Sequence, residues 1–163
     1  MFEPAGANVD LNAAAYRVTP GETVGTKAES QGNAHMPEGQ HFAYNTTPPT
    51  SGSHWPTPAG WGIKDTQEPN ERTTHNLEHG GIVIAYSSSL AAEDVTKLKS
   101  LVRGVSGTYR KVLLEPYPQL SDAKIAVTAW TWLLKLPGYD EAQIVKFLKA
   151  HYQSSDAPEP NVP

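Results

Sequence analysis

Two imidazoles four positions apart, His75 and His79, stand with the carboxylate Glu78 in the run Thr73-Thr74-His75-Asn76-Leu77-Glu78-His79-Gly80-Gly81. On an α-helix, residues so spaced share a face with Cβ atoms about 5–6 Å apart, close enough to grip one metal ion. On a strand the same pair would lie about 13 Å apart. Chelation by this pair therefore requires a helix. Thr73 or Thr74 can cap its start through a hydroxyl, and Gly80 and Gly81 suit the left-handed residue that ends many helices. A helix of about two turns is not stable alone. Either a bound ion or the packing of Leu77 must hold it.

Five of the six histidines fall between positions 35 and 79: His35, His41, His54, His75 and His79. His54 follows Pro48-Pro49-Thr50-Ser51-Gly52, whose prolines stiffen the backbone. A rigid loop bearing imidazoles, followed by a two-histidine helix, can assemble a metal site from distant positions. Imidazole suits zinc, copper, iron and nickel, whereas a thioether selects copper. Met36, next to His35, would make copper the leading ion if it reached the site. In extended backbone the two point to opposite faces, so one of them ligates. Without Met36, copper and zinc are not separated.

Glu78 completes His-x-x-Glu-His, which in inverted zinc peptidases supplies two ligands and a general base. Those enzymes carry the motif on a long helix, whereas two glycines interrupt this one. Glu78 is better read as a partner that orients a ligand imidazole, or as a salt bridge to Arg72. No phosphate loop or dinucleotide fingerprint is present. The chain has no cysteine, which excludes thiolate zinc sites, iron–sulfur clusters and thiol catalysis. With 13 Lys and Arg against 17 Asp and Glu and no basic run, nucleic-acid binding is not expected.

The elements that must position these groups are uneven along the chain. Residues 1–30 read as an extended arm or linker. Residues 31–72 form a long loop region dense in proline and glycine, whose aromatics Phe42, Tyr44, Trp55 and Trp61 argue against disorder. The apolar run 82–86 reads as a buried strand, and Ser87 to Ser89 offer a cap for a helix over 90–102. Residues 111–115 and 124–130 read as two more strands that can pair as an antiparallel hairpin, with 132–136 continuing the last. Asp140 caps a final helix over 141–152, and 156–163 form a flexible tail. The fold class is α+β: one domain over 31–155 with a small mixed sheet, flanking helices and a proline-rich N-terminal loop region. No apolar run spans the roughly 20 residues a bilayer needs. No signal peptide is visible either, although the start Met1-Phe2-Glu3-Pro4 is compatible with the removal of one.

The run Tyr44-Asn45-Thr46-Thr47-Pro48-Pro49-Thr50-Ser51-Gly52-Ser53-His54, together with His75-Asn76-Leu77-Glu78-His79-Gly80-Gly81, resembles the bacterial family called "domain of unknown function 3105". The resemblance covers about residues 30–155. It implies an extracytoplasmic domain behind an N-terminal membrane anchor. Its motif histidines fall here on His35, His54, His75 and His79, whereas His41 and His151 lie outside the pattern. Met36 stands where the family commonly has an aliphatic residue.

The residues and the resemblance together point to an extracytoplasmic metal-binding protein. The expected ligands are His35, His54, His75, His79 and Met36. Copper is the expected ion and zinc the alternative. The expected role is binding, storage or delivery, with a metal-donor or acceptor protein as partner. A zinc hydrolase with Glu78 as general base is the first rival. An interaction module without metal, with Trp55 and Trp61 facing a partner, is the second.

Overall fold

The computed structural model describes residues 3–163, so the first two residues of the expected arm lie outside it. Six strands form one mixed sheet: β1 (Thr26–Lys27), β2 (Gly62–Ile63), β3 (Ile82–Tyr86), β4 (Val112–Pro116), β5 (Ile125–Ala129) and β6 (Trp132–Leu136). Their order is β1-β6-β5-β3-β4-β2. Three helices complete the α+β fold: α1 (Asn70–Glu78), α2 (Ala92–Val105) and α3 (Glu141–His151). Among the described residues, no helix is long and apolar enough to cross a membrane.

Two strand expectations are corrected. β4 and β5 do not form a hairpin, because β3 lies between them, parallel to β4 and antiparallel to β5. The hairpin is instead β5 with β6, so 132–136 turns back rather than continuing the previous strand. Trp130 and Thr131 make the two-residue reversal, with Thr131 at φ 65° and its N–H bonded to the Thr50 carbonyl at 2.9 Å. A β-branched residue is rare at positive φ, so nothing in its type announces this turn.

Helix starts also differ from expectation. α1 begins at Asn70 behind Pro69, with no side-chain cap. The Thr73 and Thr74 hydroxyls donate back to the Asn70 carbonyl at 3.2 and 2.8 Å. The serine run caps no helix. Ser89 N–H donates to Ser87 Oγ at 3.1 Å in a turn of its own, and α2 starts after Ala91. Asp140 does cap α3, accepting from Gln143 N–H at 3.1 Å. Gly80 takes a φ of 80° behind α1, where left-handed backbone is needed.

The period-two alternation of the strands divides the core between two faces. Ile82, Ile84, Val112, Leu114, Ile125 and Val127 face one way and pack with Leu98 and Leu101 of α2 and Ile144 and Phe147 of α3. Val83, Leu113 and Trp130 face the other way and pack with Leu77 of α1, Ala59 of the loop and Ala157 near the chain's last residues. The second face carries the site.

α1 is held at both ends from around β4. Lys111, just before that strand, is buried and donates Nζ to the His79 carbonyl at 2.9 Å and the Pro160 carbonyl at 3.1 Å. Glu115, four residues on, is fully buried and accepts from Glu68 N–H at 2.7 Å, two residues before α1 begins. The cation at the helix C-terminal end complements the helix dipole, and Glu115 fixes the entry to α1 through its bond from Glu68 N–H. The spacing also matches, since four strand residues and nine helical ones each span about 13 Å.

Glu115 Oε2 has no hydrogen-bond partner among the described residues. Burial pushes the Glu115 carboxyl up to about 7. Between the ordinary carboxylate range and pH 7, the folded chain therefore holds a proton that the unfolded chain releases. Stability falls across that window as pH rises, and the loss is complete above it, at most of order 3 kcal/mol. Glu115→Gln should flatten this dependence and make the protein more stable than wild type at pH 8. Urea titrations at pH 5 and pH 8 check it.

Candidate metal centre

The long loop is laid against α1 by paired main-chain and side-chain bonds. Asn76, fully buried on α1, receives the Ala59 N–H and donates to the Ala59 carbonyl, both at 2.9 Å. Trp55 N–H bonds the Glu71 carbonyl at 3.0 Å. Within the loop, His35 and His54 form an isolated parallel bridge, with His54 N–H to the Ala34 carbonyl at 3.0 Å and Met36 N–H to the His54 carbonyl at 2.8 Å. That bridge brings His35 beside His54, while α1 brings His75 and Glu78 up from below.

The rings converge. Centroids lie 5.0 Å apart for His35 and His54, 4.9 Å for His54 and His75, and 4.6 Å for His75 and His79. Three rings are anchored alike. Nδ1 of His54 faces the Gly52 carbonyl at 2.9 Å, that of His75 the Trp55 carbonyl at 2.7 Å, and that of His79 the Pro163 main-chain oxygen at 3.1 Å. A carbonyl only accepts, so each Nδ1 carries the proton and, in the neutral ring, each Nε2 keeps its lone pair. This is how ligand imidazoles are oriented in metal sites.

The Nε2 atoms point at one another and at Glu78. Glu78 Oε2 lies 2.7 Å from His54 Nε2, 3.8 Å from His75 Nε2 and 4.0 Å from His35 Nε2. His75 Nε2 and His79 Nε2 are 3.1 Å apart. Lone pairs facing a carboxylate, or each other, at such distances repel unless a proton or a cation lies between them. Tetrahedral zinc with bonds near 2.0–2.1 Å needs ligand atoms about 3.3 Å apart, which these separations bracket. His35, His54, His75 and Glu78 offer four ligand atoms all within 4.8 Å of one another, and Glu78, His79 and Glu159 form a second such set.

Burial pushes the His75 imidazole below its ordinary range, with neighbouring His54 and His79 adding to the effect against the Trp55 carbonyl and Glu78. A ring held neutral has a lone pair to give. His54 is wholly buried, whereas the His35 side chain is 55 % exposed and forms the rim.

Other expectations resolve differently. Glu78 is not paired with Arg72, which bonds Glu38 at 2.6 Å. Its carboxylate sits among the rings, with Oε1 accepting from Asn33 Nδ2 at 3.0 Å. Met36 is half-buried, and its N–H bonds the His54 carbonyl at 2.8 Å; alternation along extended backbone would set its side chain opposite that of His35. His41 bonds Glu71 at 3.0 Å, and His151 bonds the Val24 carbonyl at 2.7 Å, both away from the cluster. Trp55 is buried rather than presented to a partner, and Trp61 packs over Gly81, where a Cβ would come within 2.3 Å of the indole. Sequence reasoning missed Asn33 and Glu159. Neither has a spacing to the helix that would betray it.

The sequence predicts a flexible tail over 156–163. Here Ala157 is buried, Glu159 N–H bonds the Glu78 carbonyl at 3.0 Å, and Gln153 N–H bonds the Gly80 carbonyl at 2.8 Å. Gly80 permits this approach, since a Cβ there would lie 2.9 Å from Gln153 Cα and 3.1 Å from Pro160 Cα.

Fold and site together define a class: an α+β protein with a buried histidine–carboxylate cluster suited to a metal ion, set against one face of a mixed sheet. The chain belongs to the family described as "Protein of unknown function (DUF3105)", which matches residues 35–163. No curated protein and no solved structure matches it.

Proposed function

We propose that this protein binds a divalent first-row transition ion through His35, His54, His75 and Glu78, and that it stores the ion or hands it on. One observation carries this reading: Nδ1 of His54, His75 and His79 is pinned to main-chain oxygens, which aims their Nε2 atoms around a single carboxylate. Zinc stands ahead of copper, because the side chains that converge are imidazoles and a carboxylate, which suit zinc, whereas the case for copper needs a thioether. Cupric ion suits the same donors and remains the alternative. The proposed setting is outside the cytoplasm, as the family resemblance implies, and cell fractionation tests it. His35, on the exposed rim, is the point where an ion would pass to or from a partner protein.

A hydrolytic role is less well supported. It needs three protein ligands with an open position for water, and a free general base. Here the carboxylate proposed as base lies among the ligand nitrogens, and four donors can close the shell.

Anomalous scattering at the zinc and copper edges, on crystals of untagged protein grown with each metal, tests the reading directly. Either metal should give one strong peak between His54, His75 and Glu78. In solution, His75→Ala should weaken zinc binding at least about 100-fold, given roughly 10–16 kcal/mol shared among four ligands in structural zinc sites. Failure of the wild-type protein to take up either metal at micromolar concentration would end the proposal.

A further inference from the structure

We infer a second cation position beside the first, formed by Glu78, His79 and Glu159, with the Glu78 carboxylate shared between the two. The inference rests on the metal-binding reading above but makes a separate claim about stoichiometry and about the segment that supplies Glu159.

The geometry has three parts. His79 Nε2 lies 3.4 Å from Glu159 Oε2, close to the ligand–ligand edge of about 3.3 Å around a tetrahedral zinc ion. The three ligand atoms of this set lie within 4.8 Å of one another. His79 is also oriented like a ligand, with Nδ1 on the Pro163 main-chain oxygen at 3.1 Å and Nε2 turned inward. Glu159 is held in place by its own backbone, whose N–H bonds the Glu78 carbonyl at 3.0 Å. The Glu159 side chain is 51 % exposed, so this position is open to solvent on one side.

The donor set is one imidazole and two carboxylates, which suits a divalent ion such as zinc or manganese and not reduced copper. With three protein donors and an exposed edge, the second ion completes its shell with water and binds more weakly than the first. Glu78 can serve both ions through Oε2 alone or through both oxygens, and Oε1 is held by Asn33 Nδ2 at 3.0 Å.

Zinc titration of the metal-free full chain, followed by native mass spectrometry and elemental analysis, tests this. Wild type should take up two equivalents, one tight and one at least about tenfold weaker. Glu159→Gln, a surface change that leaves the core untouched, should keep the tight equivalent and lose the weak one. His54→Ala should do the reverse, weakening the tight equivalent at least about 100-fold and leaving the affinity of the other unchanged. A wild type that stops at one equivalent overturns the second position and leaves the first standing. So does a Glu159→Gln variant that still binds two. A wild type that binds none overturns both.

Discussion

Zinc added to the metal-free protein should raise its melting temperature by roughly 8–16 °C at a thousandfold excess over the dissociation constant. The figure follows from linkage. An ion that binds only the folded chain adds about 4 kcal/mol at that excess, and a domain of this length gains about 2–4 °C per kcal/mol. The unfolded chain is a poor competitor, because His35, His54 and the α1 residues are brought together by the bridge and by the Asn76 clamp, not by sequence proximity. The shift should shrink below about pH 6, where protons compete with the ion for Nε2. Burial disfavours the charged form of His75, so that ring resists protonation as the pH falls. Differential scanning calorimetry with and without a chelator measures the effect. A melting temperature indifferent to zinc, copper and chelator would leave the cluster as a hydrogen-bonded brace.

Glu78→Gln should weaken binding as much as the loss of a ligand imidazole does. The amide keeps the size and the helix propensity of the acid but removes the negative charge that faces three Nε2 atoms. Affinity for zinc should fall at least about 100-fold, as expected when a ligand of a four-donor site is lost. Under the hydrolytic alternative the same change would spare binding and abolish turnover, so one titration by a competing chromophoric chelator separates the two readings. Helix content by circular dichroism should be unchanged. An affinity equal to wild type would remove Glu78 from the ligand set.

Much of this arrangement could be read before any coordinates. The strand cores were visible as apolar runs, the last helix through Asp140, and the His75–His79 pair through its helical spacing. What could not be read has physical causes. The placement of β3 between β4 and β5 is a non-local pairing that leaves no mark on any one strand. The reversal at Thr131 uses a residue type that favours strands. Glu159 is 81 positions beyond Glu78 in a polar, proline-rich segment. The close approach permitted by Gly80, the bond from Lys111 to the Pro160 carbonyl and the bond from Glu159 N–H to the Glu78 carbonyl bring it to the helix. The sequence favours copper through Met36, and the ring that joins the cluster is that of its neighbour His35.

The grip of Lys111 and Glu115 on the two poles of α1 has a consequence for loading. Because the sheet fastens the helix at both ends, the proposed site should keep its shape with or without an ion. Small metal domains that fold only around their ion lose their shape when stripped. This one should survive repeated filling and emptying intact, with exchange paced by ligand substitution at the rim instead of by refolding. Under the proposed function, such a vessel would suit traffic in ions better than permanent custody of one.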